Sequence, residues 1–336
     1  MKSYILFCAI LFIFSAIPAQ GAVGITQTQF TDSARGRTLK TYIWYPCVGG
    51  KSSRYAENVV FEGFEAVKDG EISQGQFPVF VLIHGTSGNW RNLSWLAERL
   101  ADSGSIVIAA DHPDYTTGDA TPYSVIRAWD QPKDVSFILD KLFTSRFKDY
   151  IDRKRVLAVG YSLGGYSSLA LAGARLDMHQ YLDFCSAHDD NSCRYFRPAF
   201  TCLDGKYFGQ SSVDLNDKRF TGIIAIAPGF MESFTGDSLH RIKVPTLIIG
   251  ATLDRNVSPS THILPRKNDL AAQVSYKEIE GAAHFSFMQV CKPKGIEILA
   301  EDGEEFVCID GGSKTRREIH DELFNYIRDF LNAAFK

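Results

Sequence analysis

The sequence has almost no excess of one charge, and it lacks the short motifs of the commonest cofactor and metal enzymes. Its 36 basic and 39 acidic residues leave a formal net charge of −3, whereas nucleic-acid-binding proteins usually carry a basic stripe. A dinucleotide fingerprint, a phosphate-binding P-loop and an HExxH pair are all missing. The sequence therefore predicts a protein without a nucleic-acid partner, a metal or a cofactor.

Long apolar runs are missing as well, except near the start of the sequence. There, Lys2 supplies one positive charge, an apolar run covers residues 4–17, and small residues follow as far as Ala22. This order is typical of a secretory signal peptide. We therefore expect residues 1–22 to be removed and the rest to be exported to the periplasm or the extracellular space, without an integral membrane segment. An uncleaved anchor is the alternative, but the run is short for a membrane span.

Cysteine is scarce, and no CxxC pair is present to suggest a zinc site. Six cysteines nevertheless lie beyond the leader, and an even number in an exported chain suggests disulfides. Cys291 and Cys308 bracket a polar segment and are predicted to staple it as a hairpin. Three more crowd one polar insertion, so one of them is a candidate partner for Cys47. These three are Cys185, Cys193 and Cys202.

Two patterns of apolar residues indicate a sheet flanked by helices. Residues 25–30 and 37–45 alternate apolar with polar side chains, as half-exposed antiparallel strands do, and we expect them at one edge of the sheet. Five shorter runs are almost continuously apolar, which is typical of parallel strands buried on both faces. Apolar residues at spacings of three and four fill the gaps and predict helices. The apolar runs are 77–83, 105–110, 156–159, 221–227 and 246–249, and the helices are 89–103, 132–143, 164–176 and 315–334.

This alternation of strand and helix predicts a single α/β domain over residues 23–336, with a mostly parallel central sheet and helices on both faces. Residues 177–219 depart from the pattern, because they form a long polar stretch where a plain fold needs only a short connection. The cysteines in this stretch favour an ordered insertion that caps the site.

The sharpest motif follows the apolar run at 156–159 and reads GYSLG, from Gly160 to Gly164. It fits the G-x-S-x-G turn from strand to helix, in which the central serine is a nucleophile in a strained conformation. The turn is so tight that the residues two before and two after the serine must be very small. The sequence therefore predicts Ser162 as a nucleophile, at the start of a helix whose free N–H groups favour negative charge.

A serine hydroxyl needs a histidine to accept its proton and a carboxylate to orient that histidine. His284 lies in a loop after a strand-like stretch at 273–279 and is predicted to be the base. Asp254, in the loop after the run at 246–249, is predicted to be the acid, which gives the order Ser, Asp, His along the chain. Glu232, which follows the preceding strand, remains the alternative acid.

The tetrahedral intermediate of ester cleavage needs two N–H donors for its oxyanion. Leu163, directly after the serine, is one candidate, and Thr86, in the loop after the run at 77–83, is the other. His112 and Tyr161 are candidate pocket residues, since His112 follows the end of another strand and Tyr161 precedes the nucleophile. A loop held by its own carboxylate hydrogen bonds is the alternative for the segment around His112.

Several of these segments, taken together, resemble a known family. They read RTLKTYIWYP, HGTSGNW, AADHPDY, GYSLGG, PTLIIGATLD and EGAAHFSF, and they are similar to the predicted dienelactone-hydrolase branch of the α/β-hydrolase superfamily, which is related to the platelet-activating-factor acetylhydrolases. The resemblance runs from about Arg37 to the C-terminus, but it excludes the insertion at 177–219 and the segment from Cys291 to Cys308. It implies an α/β-hydrolase fold and a serine esterase with the triad Ser162, Asp254 and His284. It further implies a preference for short acyl groups, including those carried on a phospholipid.

The sequence departs from this family at two points. Dienelactone hydrolases use a cysteine nucleophile where this chain has Ser162, so lactone specificity is not implied. The acetylhydrolases place their acid after the earlier strand, where this chain has Glu232 nearby. A carboxylic-ester hydrolase is the leading hypothesis. A peptidase, amidase or thioesterase that uses the same residues, and a binding protein with a vestigial site, are the alternatives.

Overall fold

The computed structural model describes residues 22–335. The predicted signal peptide therefore lies outside the described residues, apart from Ala22, which begins the first strand. Within the described range, no helix combines the length and the hydrophobicity that a membrane crossing needs.

One mixed sheet of ten strands runs through the described residues. The strands, numbered β1 to β10 along the chain, are Ala22–Asp32, Arg37–Cys47, Ser52–Tyr55, Phe64–Lys68, Phe77–Ile83, Ile106–Asp111, Ile151–Tyr161, Gly222–Ile226, Thr246–Ala251 and Val274–Ile279. Their order across the sheet is β10-β9-β8-β7-β5-β6-β2-β1-β4-β3. All neighbours from β10 to β6 run parallel, whereas β2 is antiparallel to both β6 and β1. The sheet is thus mostly parallel, as predicted.

Ten α-helices lie in residues 22–335 and cover both faces of the sheet. Numbered α1 to α10, they are Ser94–Asp102, Pro122–Val125, Asp130–Leu142, Leu163–Leu171, Met178–Ala187, Asn191–Phe196, Gly205–Ser211, Gly236–His240, Gly295–Ala300 and Arg316–Ala334. The buried apolar side chains form two clusters, one with α3 and α4 and the other with α1 and α10. Alternate side chains of β5 belong to different clusters, since Val79 and Val81 join the first and Phe80 and Leu82 the second. Burial on both faces explains the continuous apolar runs of the sequence.

The first two strands do not form an edge of the sheet. β1 and β2 pair antiparallel over their full lengths, as predicted, but β4 pairs with the outer side of β1, and β3 pairs with β4. No apolar pattern in the sequence predicts β3, because its side chains are mostly exposed. The expected edge position of the first two strands is therefore wrong.

Residues 177–219 form an ordered insertion that contains α5, α6 and α7. Each of these helices begins at an aspartate whose side chain accepts backbone N–H groups, namely Asp177, Asp190 and Asp204. Cys185 in α5 and Cys193 in α6 form a disulfide. The expected pairing of Cys47 with a cysteine of the insertion is wrong, since Cys47 and Cys202 form no disulfide within the described residues.

The segment between Cys291 and Cys308 is closed by the predicted disulfide. It is not the expected hairpin, because it contains α9 and a short 3-10 helix at Glu305–Cys308. Polar composition between two cysteines indicated the closure but not the local conformation.

Candidate active site

Ser162 lies at the turn between β7 and α4, with φ +56° and ψ −117°. A positive φ is costly for a residue with a side chain, so the surrounding turn must hold the serine in place. Glycines on either side make the turn possible. A Cβ on Gly160 would lie 1.8 Å from the Gly164 carbonyl oxygen, and a Cβ on Gly164 would lie 2.1 Å from that of Ile83. The bend leaves Ser162 partly exposed beyond the end of the strand.

Two loops at the same edge of the sheet bring a histidine and a carboxylate to Ser162. The His284 Nε2 lies 3.1 Å from the Ser162 Oγ, and the His284 Nδ1 lies 2.6 Å from the Asp254 Oδ2. Asp254 follows β9 and His284 follows β10, and the carboxyl ends of parallel strands meet at one edge. The structure thus joins the three residues named from the sequence into one hydrogen-bonded chain.

Asp254 is an oriented and ionised acceptor. Burial alone would raise its pKa, but His284 and the N–H groups of Asn256 and Val257 hold that pKa below its ordinary value. Both N–H groups donate to the Asp254 Oδ1 at 2.8 Å, which leaves Oδ2 for His284. The Nδ1–H of His284 therefore donates to Asp254, and its Nε2 accepts from the Ser162 hydroxyl.

The loop that carries His284 is anchored by buried aromatic residues. The Tyr161 hydroxyl donates to the His284 carbonyl oxygen at 3.0 Å, and the two ring centroids lie 5.1 Å apart. The Trp95 Nε1 donates to the Phe287 carbonyl oxygen at 2.9 Å. Tyr161 is only 3% exposed, so its position beneath the histidine differs from the predicted place in a pocket.

The loop after β5 packs directly against Ser162. A Cβ on Gly85 would lie 2.9 Å from the Ser162 Cβ, so glycine allows this close approach. Thr86 comes next, and among the described residues its N–H donates to no backbone carbonyl. The Leu163 N–H lies at the first position of α4, where helical N–H groups have no partner within the helix. In the part of the chain that the structure describes, neither candidate oxyanion donor therefore gives its N–H to a backbone carbonyl, and the two lie in segments that meet at Ser162.

A buried network fixes this loop. The Gln131 Nε2 donates to the His84 carbonyl oxygen at 3.0 Å, and the Gln131 Oε1 accepts from the Ser167 hydroxyl at 2.7 Å. The His84 Nδ1–H donates to the Gly85 carbonyl oxygen at 2.8 Å, while its Nε2 accepts from the His112 N–H at 3.2 Å. Burial and the neighbouring His112 lower the pKa of His84 to about 3, so its ring is neutral. His84 therefore fixes the conformation of the loop through hydrogen bonds of its neutral ring.

His112 lies beneath the same loop and does not reach the surface. It is fully buried, and its Nδ1 lies 3.2 Å from the Asp134 Oδ2. Two nitrogens of the Arg37 guanidinium also donate to this carboxylate, at 2.8 and 2.7 Å. Burial would raise the pKa of Asp134, but His112 and Arg37 lower it to about 2. This buried ion-pair network differs from the predicted place of His112 on a pocket wall.

Glu232, the alternative acid, contacts a different histidine. It is buried, and its Oε2 lies 2.7 Å from the His262 Nδ1. His262 lies in a π-helical turn at Pro259–Ile263, and no sequence motif points to it. The structure therefore places Asp254, and not Glu232, next to His284.

Gln131 is a second residue of the site that was not predicted from the sequence, although its position on a helix could have indicated it. It lies at the start of α3, four residues before the buried Val135. A polar residue in register with the apolar face of a helix predicts a buried hydrogen-bond partner.

No group of three or more His, Cys, Asp or Glu side chains in residues 22–335 is placed to hold a metal ion.

The model of the alpha/beta hydrolase family matches residues 80–292 of this sequence, which is more than half of the chain. The chain belongs to the alpha/beta hydrolase family. The matched range includes Ser162, Asp254 and His284, together with the insertion at 177–219.

This alpha/beta hydrolase is similar to several curated cutinases of the genus Thermobifida. It is 28% identical to cutinase 1 of Thermobifida cellulosilytica over 211 residues, which cover 60% of this chain and 58% of that protein. It is 25% identical to cutinase est2 of Thermobifida alba over 207 residues, which cover 60% of this chain and 51% of that protein. The chain thus spans about half the length of the curated relatives that it matches.

A solved structure of a ferulic acid esterase from Streptomyces cinnamoneus has the same fold. Its TM-score against this alpha/beta hydrolase is 0.62 at 18% sequence identity, and the superposition covers 95% of this chain and 92% of that one. The likeness therefore extends over almost the whole chain, beyond the range that the family model matches.

Proposed function

We propose that this alpha/beta hydrolase is a serine carboxylic-ester hydrolase, with Ser162 as the nucleophile, His284 as the general base and Asp254 as the acid. The observation that carries the proposal is the continuous chain from the Ser162 Oγ through the imidazole to Asp254, with links of 3.1 and 2.6 Å. The relatives named as cutinases support an ester as the substrate.

The chemistry begins with attack on the ester carbonyl. The Ser162 Oγ bonds to the carbonyl carbon while its proton passes to the His284 Nε2. Asp254 stabilises the resulting imidazolium through the Nδ1–H. The imidazolium then gives its proton to the leaving alcohol, which departs and leaves an acyl group on Ser162. A water molecule then gives a proton to the same nitrogen as its oxygen bonds to the acyl carbon. The bond from this carbon to the Ser162 Oγ breaks, Oγ takes the proton back from His284, and the acid is released.

Two backbone N–H groups stabilise the negative charge of the intermediates. Leu163 and Thr86 supply these donors in the proposal, because one follows the nucleophile and the other lies in the loop that packs against it. Each such donor typically contributes a factor of roughly 10² to 10³ in rate. His84 and Gln131 keep the second donor in place, because they fix the backbone of its loop.

The resemblance to dienelactone hydrolases and platelet-activating-factor acetylhydrolases adds a preference for short acyl chains, on small-molecule or lipid esters, to the proposal. We further propose a single exported domain over residues 23–336 after removal of a signal peptide. The Cys185–Cys193 and Cys291–Cys308 disulfides support export, since disulfides persist mainly in oxidising compartments. The steps above use side chains and water, so no cofactor is proposed.

Hydrolysis of p-nitrophenyl acetate and butyrate, together with labelling by a fluorophosphonate, tests this proposal. The wild type should release p-nitrophenol and take up one label on Ser162. Ser162→Ala should take up none and lose roughly 10⁴-fold or more of the activity. A folded wild type that neither labels nor hydrolyses would instead support a binding protein with a vestigial site. Faster cleavage of acyl amides or thioesters than of esters would support an amidase, peptidase or thioesterase.

A further inference from the structure

A second buried carboxylate and histidine pair is separate from the chain of hydrogen bonds at Ser162, and its histidine also contacts a second carboxylate. His262 is 1% exposed, its Nδ1 lies 2.7 Å from the Glu232 Oε2, and its Nε2 lies 2.8 Å from the Asp190 Oδ2. A neutral imidazole donates from one nitrogen, whereas here both nitrogens face carboxylates that accept. His262 is therefore an imidazolium. We call Glu232, His262 and Asp190 the His262 clamp.

The charge on His262 is a consequence of its surroundings. Burial would lower its pKa, but the side chains of Asp190 and Glu232 raise that pKa to about 10. Removing one member of a buried ion pair leaves an uncompensated charge in a medium of low dielectric. The members of the His262 clamp therefore resist separation.

The His262 clamp ties the insertion to the loop that carries Asp254. Two of its members belong to the loops after β8 and β9, whereas Asp190 lies in the insertion at the start of α6. A second hydrogen bond runs beside it, since the Asn191 Nδ2 donates to the Asn256 Oδ1 at 2.7 Å. The N–H of this same Asn256 donates to Asp254. The first turn of α6 is thus fixed to the loop of the proposed acid.

The other end of α6 packs against a loop that contacts the backbone of Ser162. The ring centroids of Phe196, the last residue of α6, and Phe230 lie 5.2 Å apart. The N–H of Gly229, the residue before Phe230, donates to the Ser162 carbonyl oxygen at 3.0 Å. A helix rises about 1.5 Å per residue, so the six residues of α6 span roughly 9 Å. Helix α6 therefore connects the loop of Asp254 with the loop that hydrogen-bonds to Ser162.

We propose that α6 forms one wall of the substrate pocket beside Ser162, and that the His262 clamp holds this wall in place. His262 is then a positioning residue for the selection of the ester. This proposal rests on the proposed ester hydrolysis and concerns the same site. A fixed wall limits the size of the acyl or alcohol group next to it. A looser His262 clamp therefore changes which esters bind, while the hydrogen bonds from Ser162 to Asp254 persist.

Asp190→Asn tests the His262 clamp with a small change. Asparagine is as good a helix N-cap as aspartate, and its Oδ1 can keep the bond from the Cys193 N–H, which is 2.8 Å long. The start of α6 is then preserved while the ion pair with His262 is lost. Asp189→Asn is the matched control, because Asp189 is the adjacent residue, is 62% exposed and pairs with arginines at the surface.

Two measurements on the whole protein show the effect of Asp190→Asn. Hydrogen exchange followed by mass spectrometry reports the anchoring of residues 178–211, and kcat and KM for p-nitrophenyl acetate and hexanoate report selectivity. For Asp190→Asn we expect α6 amides to exchange about fivefold faster. We also expect the hexanoate-to-acetate ratio of kcat/KM to change about fivefold, mainly through KM. Asp189→Asn should stay within about twofold of the wild type in both.

The outcomes separate the parts of the proposal. Equal exchange rates in Asp190→Asn and Asp189→Asn would overturn the role of the His262 clamp. Faster exchange with an unchanged hexanoate-to-acetate ratio would overturn the assignment of α6 as a pocket wall. If the wild type hydrolyses neither ester, the proposed function fails, and the exchange measurement still decides on the clamp. Should Asp190→Asn not fold, His262→Gln removes the charge from the other partner and is measured in the same way.

Discussion

Asp254→Asn replaces the carboxylate next to His284 by an amide of the same shape. In the native structure the Asp254 Oδ1 accepts from the N–H groups of Asn256 and Val257, each at 2.8 Å. The amide keeps both bonds only if its oxygen takes this position, which turns its NH₂ group toward the His284 Nδ1. That nitrogen must then accept, so the ring hydrogen moves to Nε2, which faces Ser162. In this tautomer the imidazole is unable to accept the proton of the serine.

We expect kcat/KM to fall about 10⁴-fold, which corresponds to ~5 kcal/mol of transition-state stabilisation. The loss has this size because the general base is removed while the oxyanion donors remain. The fold should persist, since both backbone hydrogen bonds to residue 254 are kept. Hydrolysis of p-nitrophenyl butyrate below KM gives the rate, and circular dichroism on heating shows whether the variant is folded.

Glu232→Gln is the control, because it makes the same change in the carboxylate that was the alternative acid. Glu232 contacts His262 and not His284, so this variant should lose far less activity than Asp254→Asn. The assignment of the acid would be wrong if Glu232→Gln lost as much activity as Asp254→Asn. It would also be wrong if a folded Asp254→Asn protein kept the rate of the wild type.

Two further predictions concern the support of the site. Gly164→Ala should destabilise the protein by about 3 kcal/mol or more, measured by urea unfolding, since the new Cβ would lie 2.1 Å from the Ile83 carbonyl oxygen. Gly209→Ala, where nothing lies within 4 Å of the Cβ, is its control. In the folded protein, His112 and Arg37 lower the pKa of Asp134 from its ordinary value of 3.8 to about 2. The stability advantage of wild type over Asp134→Asn should therefore be complete above about pH 4 and should shrink as the pH falls toward 2; a constant difference would contradict this.

The buried central strands of the sheet could be predicted from the sequence, but the outer strands β3 and β4 could not. β5 begins and ends where the apolar run does, because both of its faces are covered. β3 and β4 extend the sheet without such a run, and the side chains of β3 are mostly exposed. The helices of the insertion are short, and most of their residues are partly or fully exposed. Their starting aspartates were a usable signal, because aspartate is a preferred N-cap.

The place of the candidate residues at the carboxyl ends of the strands was predictable, but the sequence left two carboxylates as candidates for the acid. Chain order and strand ends bring Ser162, Asp254 and His284 to one edge of the sheet. The same reasoning left Glu232 as a second acid, because it also follows a parallel strand of that edge. Only side-chain contacts distinguish the two carboxylates, and these depend on a histidine, His262, that no motif marks.

The two carboxylate and histidine pairs show how a third group decides the chemistry of an imidazole. In each pair the histidine Nδ1 lies within 2.7 Å of a buried carboxylate, Asp254 or Glu232. The remaining nitrogen of His284 faces the Ser162 hydroxyl, which donates, so this nitrogen keeps its lone pair and can take a proton. The remaining nitrogen of His262 faces the Asp190 carboxylate, which accepts, so the ring keeps both hydrogens and stays charged. One pair is therefore suited to proton transfer and the other to holding two segments together.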